Sequence, residues 1–298
     1  FFVLFMIYEG GRGGGGRRGG QEGDHPRNAH KTGKTTWFAK LRLKLNRDLA
    51  SKGETMALYT IGEVALLCDI NPVTLRAWQR RYGLLKPQRT DGGHRLFNDA
   101  AIDRIREIKR WIDNGVQVSK VKMLLSNENV DVQNGWRDQQ ETLLTYLQSG
   151  NLHSLRTWIK ERGQDYPAQT LTTHLFIPLR RRLQCQQPTL QALLAILDGV
   201  LINYISICLA SARKKQGKDA LVVGWNIQDT TRLWLEGWIA SQQGWRIDVL
   251  AHSLNQLRPE LFEGRTLLVW CGDNRTSAQQ QQLTSWQEQG HDIFPLGI

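Results

Sequence analysis

Apolar residues fall into three periodic regimes along the chain. In the first, up to residue 125, they recur at helical spacing in short runs. Thr60 followed by Glu63 is the S/T-x-x-E signal of a helix start, and Ile61, Val64, Ala65 and Cys68 then share one stripe. Asp69-Ile70 interrupts the stripe. Asn71-Pro72 reads as N-cap and first turn of a second helix over 72–82. Leu75, Trp78 and Tyr82 form the inward face of that helix. Two short helices joined by a tight turn predict a helix-turn-helix. Thr90-Asp-Gly-Gly93 is a hairpin-turn signal. Asn98 or Asp99 then caps a third helix running to Gly115, with Ile102, Ile105, Ile108 and Ile112 as its buried stripe. A fourth short helix, 119–126, offers Val121, Leu124 and Leu125.

The second regime predicts a helical bundle over 129–217, with helices at 136–147, 152–160, 171–183 and 190–214. In the third regime, 218–298, short apolar strands alternate with helices. Strands are predicted at 220–224, 245–250, 266–270 and 293–296, and helices at 230–243, 257–262 and 278–289. Such alternation argues for a parallel sheet with flanking helices. The fold class is therefore an α+β winged helix-turn-helix over 56–128, then an α-helical bundle, then an α/β Rossmann-like parallel sheet. Ligands of such sheets sit beyond the strand carboxyl ends. No consecutive run approaches 18 apolar residues, so no membrane span is expected.

Charge sharpens the division. The 298 residues carry a formal net charge of +11. Residues 1–55 hold 11 Lys+Arg against five Asp+Glu, 56–125 hold 12 against seven, and 126–298 hold 16 of each. A basic segment on a neutral body points to a polyanion, and nucleic acid is the leading candidate. The first 55 residues include GGRGGGGRRGG, which cannot bury apolar surface. They are expected to be a disordered extension outside the native folded protein, with Met56 opening the ordered-looking sequence. Cys68, Cys185, Cys208 and Cys271 are widely spaced, which argues against a disulfide scaffold or a zinc ribbon and for a reducing cytoplasm.

Within the basic segment, Arg76 and Arg80 are four residues apart on the outward side of the second helix, with Val73 beside them and Arg81 at the flank. The second helix of a helix-turn-helix enters the major groove. Arginine there forks onto guanine edges or phosphates. The hairpin carries Lys86, Arg89, His94 and Arg95 toward the backbone or the minor groove. The candidate DNA-contacting set is Asn71, Thr74, Arg76, Arg80, Arg81, Lys86, Arg89, His94 and Arg95. Arg180-Arg-Arg182 reads as a solvated helix end rather than a second DNA site.

Tyr59-Thr-Ile-Gly-Glu-Val-Ala65, Val73-Thr-Leu-Arg-Ala-Trp78, Arg80-Arg-Tyr-Gly83 and the run from Pro87 to Phe97 resemble MerR-family transcription regulators. The likeness is dense over about 70 residues. It implies double-stranded promoter DNA and RNA polymerase as partners, a homodimer on a near-palindromic site, and activation either by untwisting and bending of an overlong promoter spacer or by recruitment of polymerase from an upstream site, with a cobalamin- or small-molecule-sensing repressor as the alternative. Over 56–298 it extends to a branch with a cobalamin-domain-like C-terminus, and within it to activators of curli and biofilm genes. Two positions depart from the pattern: Asp69 stands where glycine is common, and Gln79 where glutamate is usual. The branch's cobalamin loop carries Asp/Glu-x-His-x-x-Gly. Here the region reads Trp225-Asn-Ile-Gln-Asp-Thr-Thr231, with neither the histidine nor the glycine. No cofactor is therefore expected, and the effector, if there is one, is left open between a small molecule, a partner protein and none.

No nucleophile elbow, phosphate loop or carboxylate pair at diagnostic spacing is present, so an enzyme is not expected. Asp229 and Asp273, at strand ends, are the sole catalytic candidates. His153, His174, His252 and His291 are scattered, which leaves no metal-site spacing. Trp234, Trp238 and Trp245 are expected to serve packing rather than a ligand pocket.

Overall fold

The computed structural model describes residues 58–89, 95–126 and 135–297. The first 57 residues and residues 90–94, with the expectations placed on them, lie outside the described residues. The head begins with β1 (Tyr59–Thr60) and α1 (Ile61–Cys68). The capping box forms in full: the Thr60 hydroxyl accepts from the Glu63 N–H, and the Glu63 carboxylate accepts from the Thr60 N–H at 2.8 Å. Asp69 ends α1 in the left-handed conformation, φ 52° and ψ 47°. Aspartate tolerates that region, so the usual glycine is dispensable here. Asn71 caps α2 (Pro72–Arg80) by accepting from Val73 N–H at 2.9 Å.

Two strands follow, β2 (Gln88–Arg89) and β3 (Arg95–Phe97), which pair antiparallel with Arg89 facing Arg95. β3 also pairs with β1, a strand the hydrophobic pattern does not announce, so the sheet order is β1-β3-β2. Asn98 caps α3 (Asp99–Asp113), which buries Ile102, Ile105, Ile108 and Ile112, and α4 (Val118–Leu124) closes the head.

The bundle comprises α5 (Gly135–Gln148), α6 (Leu152–Asp165), α7 (Ala168–Leu171), α8 (Ile177–Leu183) and α9 (Pro188–Arg213). α6 runs five residues beyond its predicted end. Gly163 hid the extension, and the packing accounts for it: a Cβ there would lie 2.0 Å from the Tyr204 hydroxyl of α9. Between α7 and α8 the chain makes a π turn, Thr172–Phe176. Pro178 lacks the N–H that would bond to the His174 carbonyl, and Gln140 Nε2 donates to that carbonyl instead, at 2.8 Å.

α9 is more apolar than its uninterrupted runs suggest. It has 26 residues, and an 18-residue stretch within it reaches a mean hydropathy of 2.1, long and apolar enough to cross a membrane by length and composition. Counting uninterrupted runs missed it because Asp198, Asn203 and the serines break the run. In this fold α9 is the spine of the body and buries Leu193, Leu197, Leu201, Ile205 and Leu209.

The last part is a four-stranded parallel sheet of β4 (Lys218–Gly224), β5 (Trp245–Val249), β6 (Thr266–Trp270) and β7 (Ile293–Leu296), in the order β5-β4-β6-β7. Alternate strand residues face opposite sides. Val222, Ile247, Leu268 and Trp270 pack with α10 (Thr230–Gln242) in the large core shared with bundle and head. Val223, Leu267 and Val269 pack with Leu283 of α11 (Ser277–Glu288) on the other side. The predicted helix at 257–262 is a short 3-10 turn, Pro259–Phe262.

Candidate nucleic-acid interface

The geometry of α2 follows from its sequence. Leu75 and Trp78 are fully buried, which turns Val73, Arg76 and Arg80 outward. Among the described residues no carboxylate pairs with Arg76, Arg80 or Lys86, and all three are exposed. Val73 is 43% exposed beside them. The outward side of α2 is therefore two free guanidinium groups around a small apolar patch, a surface that suits base edges and phosphates. Arg95 is half-buried on β3. Lys122 of α4 went unnoticed in the sequence. Its ammonium lies 3.6 Å from where a Cβ on Gly83 would stand, so it adds a charge beside the turn after α2.

Three of the candidate contacts fall elsewhere. Thr74 is fully buried, with its hydroxyl unpartnered inside the head, so it cannot present that group to a ligand. The Asn71 carboxamide oxygen is spent on the helix cap. His94 lies outside the described residues. Arg81 turns to the body, where its Nη1 meets Asp165 Oδ1 at 3.0 Å and its Nη2 donates to Gln164 Oε1 at 2.9 Å. Asp165 also accepts from the Tyr82 hydroxyl at 2.8 Å, and its backbone carbonyl accepts from Trp78 Nε1 at 2.8 Å. Burial, followed by the hydrogen bond and charge of Asp165, pushes the Tyr82 phenol well above its usual range. Asp165 escaped the sequence reading because α6 was expected to stop at residue 160. Gln164-Asp-Tyr-Pro167, a polar pair before a proline, was the available signal.

Of the arginine triplet 180–182, Arg181 and Arg182 are exposed at the helix end as expected, and Arg180 is not. Arg180 is buried and bridges Asp198 of α9 and Asp229 ahead of α10, with four contacts of 2.7–3.0 Å. Arg181 pairs with Asp273 at 3.1 Å and Arg182 with Glu141 at 2.8 Å. Burial opposes ionisation of Asp229, but the hydrogen bonds and charge of Arg180 outweigh it and hold the carboxyl below its usual range. Asp229 also caps α10 by accepting from Arg232 N–H. Asp229 is thus committed to Arg180 and to the cap of α10.

The same cluster tests the cobalamin loop. Asp229 is committed to Arg180, and Ile227 folds back until its side chain is 2.7 Å from where a Cβ on Gly224 would stand. The region holds an ion cluster and an apolar plug, with no imidazole for cobalt. These residues do not fit that cofactor.

Trp238 is core and packs edge-on to Tyr204. Trp225, just after β4, and Trp286 of α11 have ring centroids 5.3 Å apart and line a cavity of about 300 Å³ with Arg258.

A basic, outward second helix backed by a paired strand and held on a helical body defines a MerR-type helix-turn-helix DNA-binding regulator. Three family profiles match in tandem: "MerR HTH family regulatory protein" over residues 59–128, "Transcriptional regulator MlrA, helical domain" over 136–210, and "Transcriptional regulator MlrA, C-terminal domain" over 217–293. The chain is 99% identical over 243 residues to the HTH-type transcriptional regulator MlrA of Escherichia coli K12, covering 82% of this chain and all of that protein. It is 84% identical over the same length to MlrA of Salmonella typhimurium SL1344, with the same coverage. With the HTH-type transcriptional repressor CarH of Myxococcus xanthus it shares 39% identity over 67 residues, 22% of each chain. The chain belongs to the MlrA family of transcriptional regulators.

Proposed function

We propose that the protein is a cytoplasmic, non-enzymatic regulator that reads promoter DNA as a homodimer. In this reading the head is a winged helix-turn-helix. α2 enters the major groove with Arg76 and Arg80, while Lys86, Arg89, His94 and Arg95 of the hairpin follow the flanking backbone. The Rossmann-like sheet and the bundle form the effector or oligomerisation body, and RNA polymerase is the downstream partner. Activation at curli and biofilm promoters is the direction the family likeness favours. The observation that carries the reading is the pair of exposed arginines on the outward side of α2, without carboxylate partners among the described residues.

The test is selection of genomic fragments by the full chain, followed by footprinting at physiological salt. The expected result is a short two-fold protected site that an Arg76→Ala, Arg95→Ala double variant loses. Two-fold symmetry is expected because helix-turn-helix dimers match half-site spacing. Binding that depends on salt alone, with no preferred fragment, would remove sequence-specific reading from the proposal.

A further inference from the structure

One carboxylate of the body grips the last turn of the reading helix. Asp165 is the final residue of α6, and its side chain is 3% exposed. Three residues of one helical face converge on it. Trp78 donates to its backbone carbonyl, Arg81 to one carboxylate oxygen and Tyr82 to the other. Arg162, one turn back on α6, stands 3.7 Å from the second oxygen. Trp78 and Tyr82 have no other role visible on this face, since both point inward. Arg81 differs. It flanks Arg76 and Arg80, its side chain is 48% exposed, and its charge is cancelled by the body rather than offered to a polyanion.

We propose that Asp165 is a positioning residue that withholds Arg81 from DNA, and so sets how many phosphates the head engages. This rests on the DNA-reading function proposed above. The exchange is chemically even-handed. A phosphate oxygen replaces a carboxylate oxygen on the same guanidinium fork. If Arg81 leaves, Asp165 keeps the Tyr82 hydroxyl and Arg162, so the departure strands no buried charge. The Trp78 bond is to the backbone and persists, so α2 stays docked while one cation is gained or lost.

The experiment measures the affinity of the full chain for its footprinted site as a function of salt. Wild type, Arg81→Ala, Asp165→Asn and the double variant are compared. Asparagine keeps the shape and an acceptor for Tyr82 but no longer attracts the guanidinium. Each phosphate engaged adds about 0.9 to the slope of log affinity against log salt. Asp165→Asn is expected to steepen the slope by about that amount, so that the loss of affinity between 50 and 200 mM salt grows by about 3.5-fold. Arg81→Ala alone is expected to leave the wild-type slope unchanged. In the Asp165→Asn background it is expected to restore the wild-type slope.

A fall in slope for Arg81→Ala in the wild-type background would overturn the proposal, because Arg81 would already be on DNA. That variant alters an exposed side chain, so this arm stands even if Asp165→Asn folds poorly. An Asp165→Asn protein with weaker binding, a lower melting temperature and an unchanged slope would make Asp165 a structural tie only. A wild type without salt-dependent DNA binding would sink the DNA-reading function and this proposal with it.

Discussion

At the scale of single residues, what distinguishes one arginine from another is the company it keeps. Arg76 and Arg180 are both helical, yet Arg76 is exposed with no carboxylate partner among the described residues and Arg180 is buried between two aspartates. Removing Arg76 should leave the fold intact and act on DNA. Arg76→Ala is expected to cost about 1–3 kcal/mol on the specific site if the guanidinium reads a base. Titration against specific and random duplexes checks this, and an equal loss on both would reassign Arg76 to the phosphate backbone. Asp229 carries a prediction for acid. Its folded carboxyl titrates below its ordinary value of 3.8 because Arg180 outweighs the burial. Its stabilisation is therefore complete well above that value and drains away as the pH falls through and below it. Urea midpoints measured from pH 6 down to pH 3 should fall less steeply in Asp229→Asn than in the wild type. Parallel curves would mean that the pair adds nothing to acid stability.

At the scale of elements, the glycines of two crossing helices give opposite predictions. In a helix interior, alanine in place of glycine gains about 1 kcal/mol from propensity. At Gly199 of α9 a Cβ meets nothing within 4 Å, so Gly199→Ala should realise that gain. At Gly163 of α6 the Cβ would lie 2.0 Å from the Tyr204 hydroxyl and 2.6 Å from the ring carbon that bears it, in a ring packed edge-on to Trp238. Overpacking costs about 1–3 kcal/mol. A contact this short falls at the upper end, so Gly163→Ala should be a net loss. Thermal melts of the two variants should move in opposite directions, and a stabilised Gly163→Ala would refute the α6–α9 contact.

Gly163 also shows where sequence legibility stops. Caps and stripes are local, so Thr60, Asn71 and the four isoleucines of α3 were readable, as was the outward position of Arg76 and Arg80. So was the order of strands and helices after residue 218. The end of α6 was not, because a glycine reads as a helix breaker until its neighbour from α9 is known. Asp165, the burial of Thr74 and the pairing of Arg180 are facts of tertiary docking, and no periodicity within one segment encodes them. β1 was missed because two residues are too few to show an alternation.

At the scale of the molecule, head and body share a core. Buried residues form one cluster running from Tyr59 through Trp78 and Ile112 to Trp270. Polar ties cross the same boundary: Trp136 Nε1 of the body donates to Ile112 O at 2.9 Å, and Thr170 of the body donates to Asp113 at 2.8 Å. A head so attached cannot unfold without exposing the bundle face beneath it, so its stability and that of the body are linked. Ile108 lies within the head, is fully buried and is far along the chain from the tryptophans of the sheet. Truncating a buried isoleucine to alanine costs about 2–5 kcal/mol. Ile108→Ala is therefore expected to lower a single unfolding midpoint seen alike by far-ultraviolet dichroism, which reports helices throughout, and by tryptophan fluorescence, to which the body contributes eight of the ten described tryptophans. An early step in both signals, with most of the fluorescence change left to a later one, would mean that the head melts alone. The shared core would then be a docked contact rather than a cooperative one, and any signal from body to DNA would have to pass through the polar ties across the boundary, the α2–Asp165 contact among them.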